Sequence, residues 1–504
     1  MFRHSQLESV KAWLEHPASA ALPRHARIQR AIRQMILDGA LGPGKPLPAS
    51  RALAVSLGVS RDTVEAAYTQ LHAEGFIERQ VGRGSFVAEG PGFSPGTSQP
   101  PPCGPLSAVV PSLSRRGMAM VAGGGVRESA HPRPFAPGVP ETRSFPLPLW
   151  DRLQRQIVKE SGTRALLHGD PQGMEPLRRA IADYVNLERG ARATPDRVLV
   201  LTSAQQAMLL CATVLLDPGE RIFVEDPAYY GARRAFEAAG LECVPVPVDG
   251  QGITVGPILS APHQARALCL TPSHQFPTGA TLTLERRLAL IDWAQRQQAW
   301  IIEDDYDSEF HYAGKPTACV QGLDPYGRTI YVGTFTKSVF PGLRIGYAVL
   351  PPQLVQPMTI ARTLQDGHTA PLAQLTLARF MEGGHFGAYV RSMRSLYAQR
   401  LDILSGLLRR HLSGIVEPRL PVGGLQMPCM LTPEISESGT VQAARRAGVE
   451  LLGLSGLYAD RQQPERSGFL MGFAAYTATE MEEAVRAVAP VLRGRGLRHS
   501  PPSR

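Results

Sequence analysis

Reactive and polar side chains follow the apolar runs in the second half of the chain. Lys337 comes just after the run TIYVGTF, Asp304 lies near the end of the run AWIIEDD, and Tyr229 follows the run RIFVEDP. These runs alternate with helical segments, a pattern that predicts a largely parallel α/β sheet. Because ligands bind beyond the carboxyl ends of the strands in such sheets, we expect these side chains to meet at one edge.

Together these residues predict a site for pyridoxal phosphate (PLP). The aldehyde of this cofactor forms a Schiff base with a lysine amine, which is the role expected of Lys337. A carboxylate has to keep the pyridine nitrogen protonated, and Asp304 fits this role, with Asp305 or Asp307 as alternatives. A lysine beyond a buried strand is more commonly a solvated loop charge, so the prediction depends on the whole set of residues.

Other residues at the same edge could hold the ring and the phosphate. A phenol near the ring oxygen would tune the imine, and an aromatic face would stack on the ring. Phosphate is bound by arginine and by the backbone N–H groups of a helix start. In addition to Lys337 and Asp304, the predicted cofactor contacts are Tyr306, Tyr229, Arg344, Thr336, Ala204 and Gln205. No metal site is predicted.

A DNA-binding layout precedes these runs. The segment ASRALAVSLGVSRDTVEAAYTQLHAEGF predicts two short helices joined by a turn, and FIERQVGRGSFVAE predicts two strands around a Gly-Arg-Gly turn. Ser60 can cap the second helix, whose core face would carry Val64, Tyr68 and Leu71. In such a winged helix-turn-helix, the second helix enters the major groove of DNA. The residues expected to contact DNA are Lys45, Arg51, Ser60, Arg61, Thr63, Arg83 and Gly84.

Composition and charge narrow the class of protein. Of the 504 residues, 43% are hydrophobic and 19% charged, which is ordinary for a globular chain, and the formal net charge of +9 permits nucleic-acid binding. The six cysteines include no C-x-x-C pair, which argues against a disulfide framework or a zinc site. The N-terminus lacks an apolar signal region, and no apolar run reaches the roughly 18 residues of a membrane span. We therefore expect a cytoplasmic protein without a membrane partner.

Two modules are separated by a Pro-, Gly- and Ser-rich stretch over residues 89–144, which predicts a linker. Residues 22–88, which include GALGPGKPLPASRALAVSLGVS, closely resemble the winged-helix domain of GntR-type bacterial regulators. Residues 145–495 resemble a fold-type-I aminotransferase domain, in pieces such as HGDPQGMEPLRRAIADYV, IIEDDYDSEFHY and YVGTFTKSVFPGLRIGY. The order of the modules is similar to that of the MocR/GabR subfamily.

This resemblance implies domain boundaries, a cofactor and an oligomer. It implies a winged helix-turn-helix at residues 20–88 and an aminotransferase class I/II-like domain at residues 145–495. Within that domain it implies a large part at about residues 165–360 and a smaller C-terminal α+β part at about residues 365–495. It also implies that PLP is bound to Lys337, and that the protein is a homodimer, since fold-type-I domains complete each pocket with residues of a second subunit.

Three positions depart from the pattern of working aminotransferases. Phe276 stands where those enzymes place an asparagine before the PTG turn. His168 stands where the family often has a tyrosine that reaches the phosphate of the neighbouring subunit. Leu470 stands where an arginine would bind the α-carboxylate of an amino-acid substrate. The absence of that arginine removes the strongest anchor for an amino-acid substrate.

Three functions are consistent with this sequence. The leading hypothesis is a transcription factor for operator DNA that uses PLP to sense an effector, which would be an amine, an amino acid or PLP itself. The second is an active aminotransferase with an accessory DNA-binding domain, against which Leu470 and Phe276 count. The third is a DNA-binding protein whose larger domain is purely structural. This hypothesis is disfavoured by the joint presence of Lys337, Asp304, Tyr306 and Arg344.

Overall fold

The structure is a computed structural model that describes residues 4–15, 21–89, 113–126, 130–260, 265–312, 317–459 and 467–493. It divides into two compact units, the first ending at residue 111 and the second beginning at residue 112. Among the described helices, none combines the length and the apolar character needed to cross a membrane.

The first unit is a winged helix. Its elements are α1 (His4–Glu15), α2 (Arg24–Leu37), α3 (Ser50–Leu57), α4 (Arg61–Ala73), β1 (Ile77–Gln80) and β2 (Gly84–Val87). Ile28 and Ile32 recur on one face of α2, where they are buried in one apolar core with Val64 and Leu71 of α4. Strands β1 and β2 form an antiparallel hairpin. The predicted helix-turn-helix with its wing is confirmed.

Two residues specify the turn between α3 and α4. Gly58 follows α3 with a φ of 64°, a left-handed conformation that glycine adopts at the least cost. Ser60 then precedes α4, and its side-chain oxygen accepts a hydrogen bond from the backbone N–H of Thr63 at 3.2 Å. The cap predicted for Ser60 is therefore present.

The second unit begins earlier than the boundary that the sequence suggested. Helix α5 (Arg115–Gly123) packs against the helix Tyr230–Ala239, and Arg116 Nε donates a hydrogen bond to the carbonyl of Ala238 at 2.6 Å. Phe135, also in the stretch expected to be a linker, is fully buried. Parts of this Pro- and Gly-rich stretch thus pack into the folded second unit through their apolar side chains. Its remaining residues lie outside the described part of the chain.

An eight-stranded sheet forms the centre of the second unit. Its strands are β3 (Val198–Leu201), β4 (Arg221–Asp226), β5 (Glu242–Asp249), β6 (Gly252–Ile253), β7 (Ala267–Leu270), β8 (Trp300–Asp305), β9 (Thr329–Thr334) and β10 (Gly346–Val349). Their spatial order is β3-β10-β9-β8-β7-β4-β5-β6. The neighbours from β9 to β5 are parallel, whereas β10 runs antiparallel to β9 and β3. The predicted, largely parallel sheet is confirmed.

Helices cover both faces of this sheet. They are α6 (Leu147–Ser161), α7 (Glu175–Arg189), α8 (Ala204–Leu215), α9 (Tyr230–Ala239), α10 (Gly256–Ser260), α11 (Leu284–Gln297), α12 (Val320–Leu323), α13 (Pro352–Asp366) and α14 (Pro371–Glu382). Alternate residues of β3 enter two separate apolar cores, Val198 and Val200 in one, Leu199 and Leu201 in the other. Burial on both faces explains why the central strands read as continuous apolar runs.

A smaller α+β part completes the second unit. Its elements are α15 (His385–Leu412), β11 (Val416–Pro418), β12 (Gln426–Leu431), α16 (Glu437–Arg446), β13 (Leu452–Gly453), β14 (Gly468–Gly472) and α17 (Ala478–Arg493). Its four strands are antiparallel in the order β11-β12-β14-β13. The predicted fold class, a winged helix-turn-helix plus a fold-type-I domain with a smaller α+β part, is confirmed.

Candidate functional site

The register of the sheet brings several strand ends to one edge. Thr334, the last residue of β9, lies opposite Gly346 at the start of β10. Gly346 also lies opposite Leu201, the last residue of β3. Asp304 is next to last on β8, the other neighbour of β9. Lys337 follows β9 by three residues and so leaves the sheet at this edge.

Lys337 lies in a turn that is held by side-chain hydrogen bonds. The Thr334 hydroxyl accepts a hydrogen bond from the backbone N–H of Thr336 at 3.2 Å and donates one to the Thr336 hydroxyl at 2.9 Å. The half-buried Lys337 donates from Nζ to the carbonyl of Gly138 at 2.8 Å. A Cβ at Gly138 would lie 3.3 Å from this Nζ. The amine therefore faces protein groups, unlike a solvated loop charge.

Two of the three candidate carboxylates are already hydrogen-bonded. Asp305 accepts hydrogen bonds from Arg189 Nε at 2.7 Å and from the Tyr331 hydroxyl at 2.6 Å. Asp307 Oδ1 lies 2.9 Å from Nδ1 of the buried His274. Both acids therefore have partners within the protein.

Asp304 is the carboxylate that retains an unpaired oxygen. It is 5% exposed, and its Oδ1 has no hydrogen-bond partner among the described residues. Burial raises the pKa of Asp304 to about 7, the charge of Asp305 adds to the rise, and the charge of Lys337 opposes it. Because an unpaired buried carboxylate is costly, a ligand with a protonated nitrogen would be held here. The protonated pyridine nitrogen of PLP fits this position, which favours Asp304 over the other two acids.

Three aromatic rings, two of them predicted cofactor contacts, pack against one another. The Phe276 ring stands between the two predicted tyrosines, with its centroid 5.6 Å from that of Tyr229 and 6.2 Å from that of Tyr306, both edge-to-face. Burial raises the pKa of Tyr306 well above its usual value, and the charge of Asp307 adds to this. The phenol of Tyr306 is therefore a protonated hydrogen-bond donor.

The start of α8 offers backbone N–H groups at the same edge. Ser203 caps the helix, accepting a hydrogen bond from the N–H of its third residue at 3.2 Å. Ala204 and Gln205 are the first two residues, and N–H groups in the first turn lack intrahelical acceptors. A Cβ at Gly346 would lie 2.9 Å from the carbonyl carbon of Ser203, so a glycine lets β10 approach the helix start.

Arg344 precedes Gly346 by two residues. Its φ is 53°, in the left-handed region that non-glycine residues seldom adopt and that is concentrated at functional sites. Its side chain is exposed, and it forms no ion pair with any acidic residue in the described ranges. A guanidinium without an acidic partner near a helix start is suited to binding phosphate.

The residues that depart from the aminotransferase pattern contact other protein side chains. His168 Nδ1 lies 3.0 Å from Nε2 of His368. Leu470 is fully buried, and it packs with Phe276, Leu454 and Leu457 in an apolar cluster. Leu470 thus contributes an apolar side chain at the place where an aminotransferase would have an arginine.

Sequence reasoning missed two residues next to Lys337. Gly138 lies in the stretch expected to be a linker, and Gln426 is the first residue of β12. The Oε1 of Gln426 lies 3.7 Å from the position of a Cβ at Gly138. Neither residue belongs to a strand end of the large sheet, so the rule that identified Lys337 and Asp304 could not find them.

The predicted DNA-contacting residues of α3 and of the recognition helix α4 differ in how exposed their side chains are. Arg51, in the first turn of α3, and Arg61, the first residue of α4, are exposed. The hydroxyls of Ser60 and Thr63 lie 2.8 Å apart and bond to each other. Thr63, which was expected to contact DNA, takes part in the cap, so the two arginines are the longer exposed side chains.

The wing presents a basic tip. Arg83 is exposed between β1 and β2, and Gly84 has a φ of 106°, which favours glycine. Lys45 is also exposed, and its carbonyl accepts a hydrogen bond from the last residue of β2 at 2.9 Å, which ties its loop to the wing. Arg79, which the sequence did not single out, donates to Glu65 of α4 at 3.3 Å. That ion pair links the wing to α4.

Comparison with known protein families gives two matches. Residues 141–488 match the family described as aminotransferase class I and II. Residues 24–87 match the family described as bacterial regulatory proteins, gntR family. The two matches cover the two units separately.

Individual relatives share the whole architecture. The probable rhizopine catabolism regulatory protein MocR of Rhizobium meliloti is 35% identical over 473 residues, 93% of this chain and 94% of that protein. The HTH-type pyridoxine biosynthesis transcriptional regulator PdxR of Corynebacterium glutamicum is 32% identical, over 76% of this chain and 78% of the relative.

Among solved structures, a Pyrococcus horikoshii kynurenine aminotransferase in complex with PMP is similar, with a TM-score of 0.69 and 25% identity. The match covers 77% of this chain and 98% of that one.

Proposed function

The chain belongs to the aminotransferase class I and II family and carries a gntR-family regulatory module before that domain, and we propose that it binds operator DNA through the first unit and PLP through the second. It is thus a transcriptional regulator of the kind that its full-length relatives represent. A protein that acts on the chromosome works in the cytoplasm, where we place it.

One observation carries the cofactor proposal: a buried carboxylate with an unpaired oxygen lies on the strand beside the one that leads to Lys337. Native proteins seldom leave a buried polar atom without a partner unless a ligand, an ion or a water supplies one. Here the unpaired atom is Asp304 Oδ1, and the pKa of this acid is raised by burial. A cationic ring nitrogen would pair with it and restore its charge.

Each remaining contact has a separate role. When bound, PLP supplies an aldehyde carbon that amines attack and a protonated ring that draws electrons from that carbon. Lys337 provides the amine that holds the cofactor, and Asp304 keeps the proton on the ring nitrogen. Tyr229 covers a ring face, and Tyr306 donates its phenol hydrogen toward the ring oxygen.

The phosphate group would lie at the start of α8. There the N–H groups of Ala204 and Gln205, the guanidinium of Arg344 and the hydroxyl of Thr336 are the groups that would receive it. Several neutral donors and one cation suit a phosphate that carries about two negative charges.

The regulator would be a homodimer that responds to a small molecule at Lys337. The effector is an amine, an amino acid or PLP itself. It can change DNA binding only if it binds two conformations of the protein with different affinities. Dimerisation would supply two DNA-binding units and therefore two half-sites on the operator.

Borohydride reduction followed by peptide mass spectrometry tests the cofactor proposal. We expect a pyridoxyl group on the peptide that contains Lys337. In a separate footprinting experiment, we expect the protein to protect a genomic DNA fragment and the extent of protection to change when PLP is added. A pyridoxyl group on another lysine, or none at saturating PLP, would overturn the assignment. Lys159→Ala, at an exposed position of α6, is the matched control and should leave the labelling unchanged.

An active aminotransferase is the second candidate, because the groups that hold the cofactor would serve both functions. Leu470 counts against it, because the side chain at that place is apolar and packs in an apolar cluster, where an aminotransferase would have an arginine for the substrate carboxylate. Conversion of the bound cofactor to its amine form by any member of a panel of amino acids would favour the enzyme. A stable bound cofactor throughout the panel would favour the regulator.

A further inference from the structure

Gln426 has a buried amide oxygen without a partner. The residue is 8% exposed, and its Oε1 has no hydrogen bond within the described ranges of the chain. A buried acceptor in this state has lost its hydrogen bonds to water and gained none from the protein. Its position next to the cofactor site suggests that the missing donor comes with a ligand.

The oxygen of Gln426 faces the space beside the Lys337 amine. A Cβ at Gly138 would lie 3.3 Å from Lys337 Nζ and 3.7 Å from Gln426 Oε1, so both atoms border the same point. Residue 138 is a glycine with a φ of 72°, so no side chain separates the two atoms there. A small molecule that reacts near Nζ could therefore reach Oε1 with a second group.

The other end of the Gln426 amide is engaged by Tyr306. A hydrogen bond between the Gln426 side chain and the Tyr306 phenol opposes the rise in the pKa of that phenol. A hydrogen bond that lowers the pKa of a phenol comes from a donor, which in this amide is the nitrogen, so the amide oxygen is left for another partner. An amide oxygen accepts hydrogen bonds and repels carboxylate oxygens.

An apolar cluster packed against Tyr306 supports the same selection; it consists of Phe276, Leu454, Leu457 and Leu470. The guanidinium of Arg233 beside it is already engaged, with the carbonyl of Leu457 at 3.3 Å and with Asp226 at 3.9 Å. Asp307 adds negative charge near this cluster, since its charge contributes to raising the pKa of Tyr306. A ligand carrying a donor is thus favoured over one carrying an anion.

We propose that Gln426 determines which amine this site accepts: its Oε1 accepts a hydrogen bond from a hydroxyl or second amino group of a short primary amine that carries no carboxylate. The inference rests on the proposed function, because the amine is recognised beside Lys337 with the cofactor in place. It names the chemical class of the effector, which the proposed function leaves open.

Matched amines test this selectivity in the full-length protein loaded with PLP. Ethanolamine, propylamine and β-alanine share a two-carbon spacing and differ in presenting a hydroxyl, a methyl or a carboxylate. Apparent affinities come from titrations of the visible absorption band, a binding readout that needs no turnover. We expect wild type to prefer ethanolamine to propylamine by about tenfold, the worth of one hydrogen bond. Tighter binding of β-alanine than of ethanolamine, or equal affinities for ethanolamine and propylamine, would overturn the proposal.

Two substitutions separate the role of the oxygen from general damage to the site. Gln426→Leu should abolish the preference for ethanolamine while retaining a bound-cofactor band and the binding of propylamine. Gln426→Glu should strengthen the binding of 1,2-diaminoethane and further weaken the binding of β-alanine. This variant serves as the test if the leucine variant does not fold. An unchanged preference in a folded variant would contradict the proposal. Gln353→Leu, exposed on α13, is the control.

The outcome also distinguishes this inference from the proposed function. If wild type shows no cofactor band at saturating PLP, the proposed function fails and this inference fails with it. If the band is present but the amines are not ranked by their donor group, the assignment of Gln426 alone is wrong.

Discussion

The amine of Lys337 donates a hydrogen bond of 2.8 Å to the carbonyl of Gly138, a residue 199 positions earlier in the chain. Gly138 has a φ of 72°, and the space that a Cβ would fill is bordered by the Lys337 amine. A segment that reads as a linker therefore forms one wall of the candidate cofactor site. The site depends on this glycine for both backbone conformation and space.

Gly138→Ala should weaken cofactor binding more than it weakens the fold. Alanine in a left-handed conformation costs about 1 kcal/mol, and its methyl group would also press on the Lys337 amine. Gly414→Ala is the matched control, since Gly414 has a φ of 74° with no atom within 4 Å of its Cβ position. PLP titration and thermal unfolding should show similar losses of stability in both variants and a loss of affinity in Gly138→Ala alone. Equal PLP affinities would contradict this role.

Lys337→Ala should abolish the visible band of the bound cofactor and leave the fold intact. The substitution removes the amine that this strand edge contributes, and the aliphatic part of the half-buried side chain contributes little to the core. Absorbance with added PLP measures the first effect, and circular dichroism measures the second. A borohydride-stable adduct in this variant would show that another lysine carries the cofactor.

The sequence predicts the features that follow from local rules. Lys337 and Asp304 were predicted as site residues because polar residues at the ends of apolar runs share one edge of a parallel sheet, and both residues lie at that edge. The cap formed by Ser60 was found because capping involves residues three positions apart. Both rules use neighbouring residues only.

The residues it missed enter the site from distant segments. Gly138 and Gln426 meet beside Lys337 only after the smaller α+β part has packed against the large sheet, which no periodicity in the chain records. The choice among Asp304, Asp305 and Asp307 also depended on distant partners, because Arg189 and His274 occupy two of these acids. These contacts arise from the packing of distant segments, and no local pattern in the sequence predicts them.

Asp304→Asn should stabilise the cofactor-free protein at high pH and weaken PLP binding. Burial raises the pKa of Asp304 from 3.8 to about 7, so between these values the folded protein holds a proton that the unfolded chain releases. The contribution of this group to stability therefore falls as pH rises from about 4 to about 7. The substitution by asparagine removes this loss of folding stability, which we expect to amount to about 1–3 kcal/mol at pH 8.

Thermal unfolding at pH 5 and pH 8, without PLP, measures this effect. The stability difference between wild type and Asp304→Asn should be larger at pH 8. Asp183→Asn, at an exposed position of α7, should unfold like wild type at both values. If Asp304→Asn bound PLP as tightly as wild type, another acid would have to hold the ring nitrogen.

Arg61→Ala and Arg51→Ala should weaken binding to operator DNA. An arginine that reads a guanine edge contributes about 1–3 kcal/mol, whereas one that contacts phosphate gives a smaller loss that is independent of sequence. Competition binding with specific and random DNA at several salt concentrations distinguishes the two roles. Arg30→Ala, exposed on α2, removes the same charge and should change binding least. Unchanged affinity in both test variants would place the recognition surface elsewhere.

The second unit carries exposed apolar side chains that we expect to take part in dimer formation. Leu166 and Leu167 are 81% and 65% exposed, and Leu364 near the end of α13 is 85% exposed. The contact of His168 with His368 at 3.0 Å holds these two segments together. Large exposed apolar side chains in one place mark an association surface, and we expect a second copy of this chain to cover it.

Leu364→Asp should therefore shift the protein from dimer to monomer, because a charge on this surface would be buried without a partner. Sedimentation velocity over a range of concentrations measures the shift. Leu284→Asp, at the first position of α11, adds the same charge at a 59% exposed leucine and should leave the dimer intact. The loss of the dimer should also reduce affinity for an operator with two half-sites to that for one half-site. A wild-type monomer with PLP fully bound would refute the dimer, and full-affinity binding to a single half-site would refute its role on DNA.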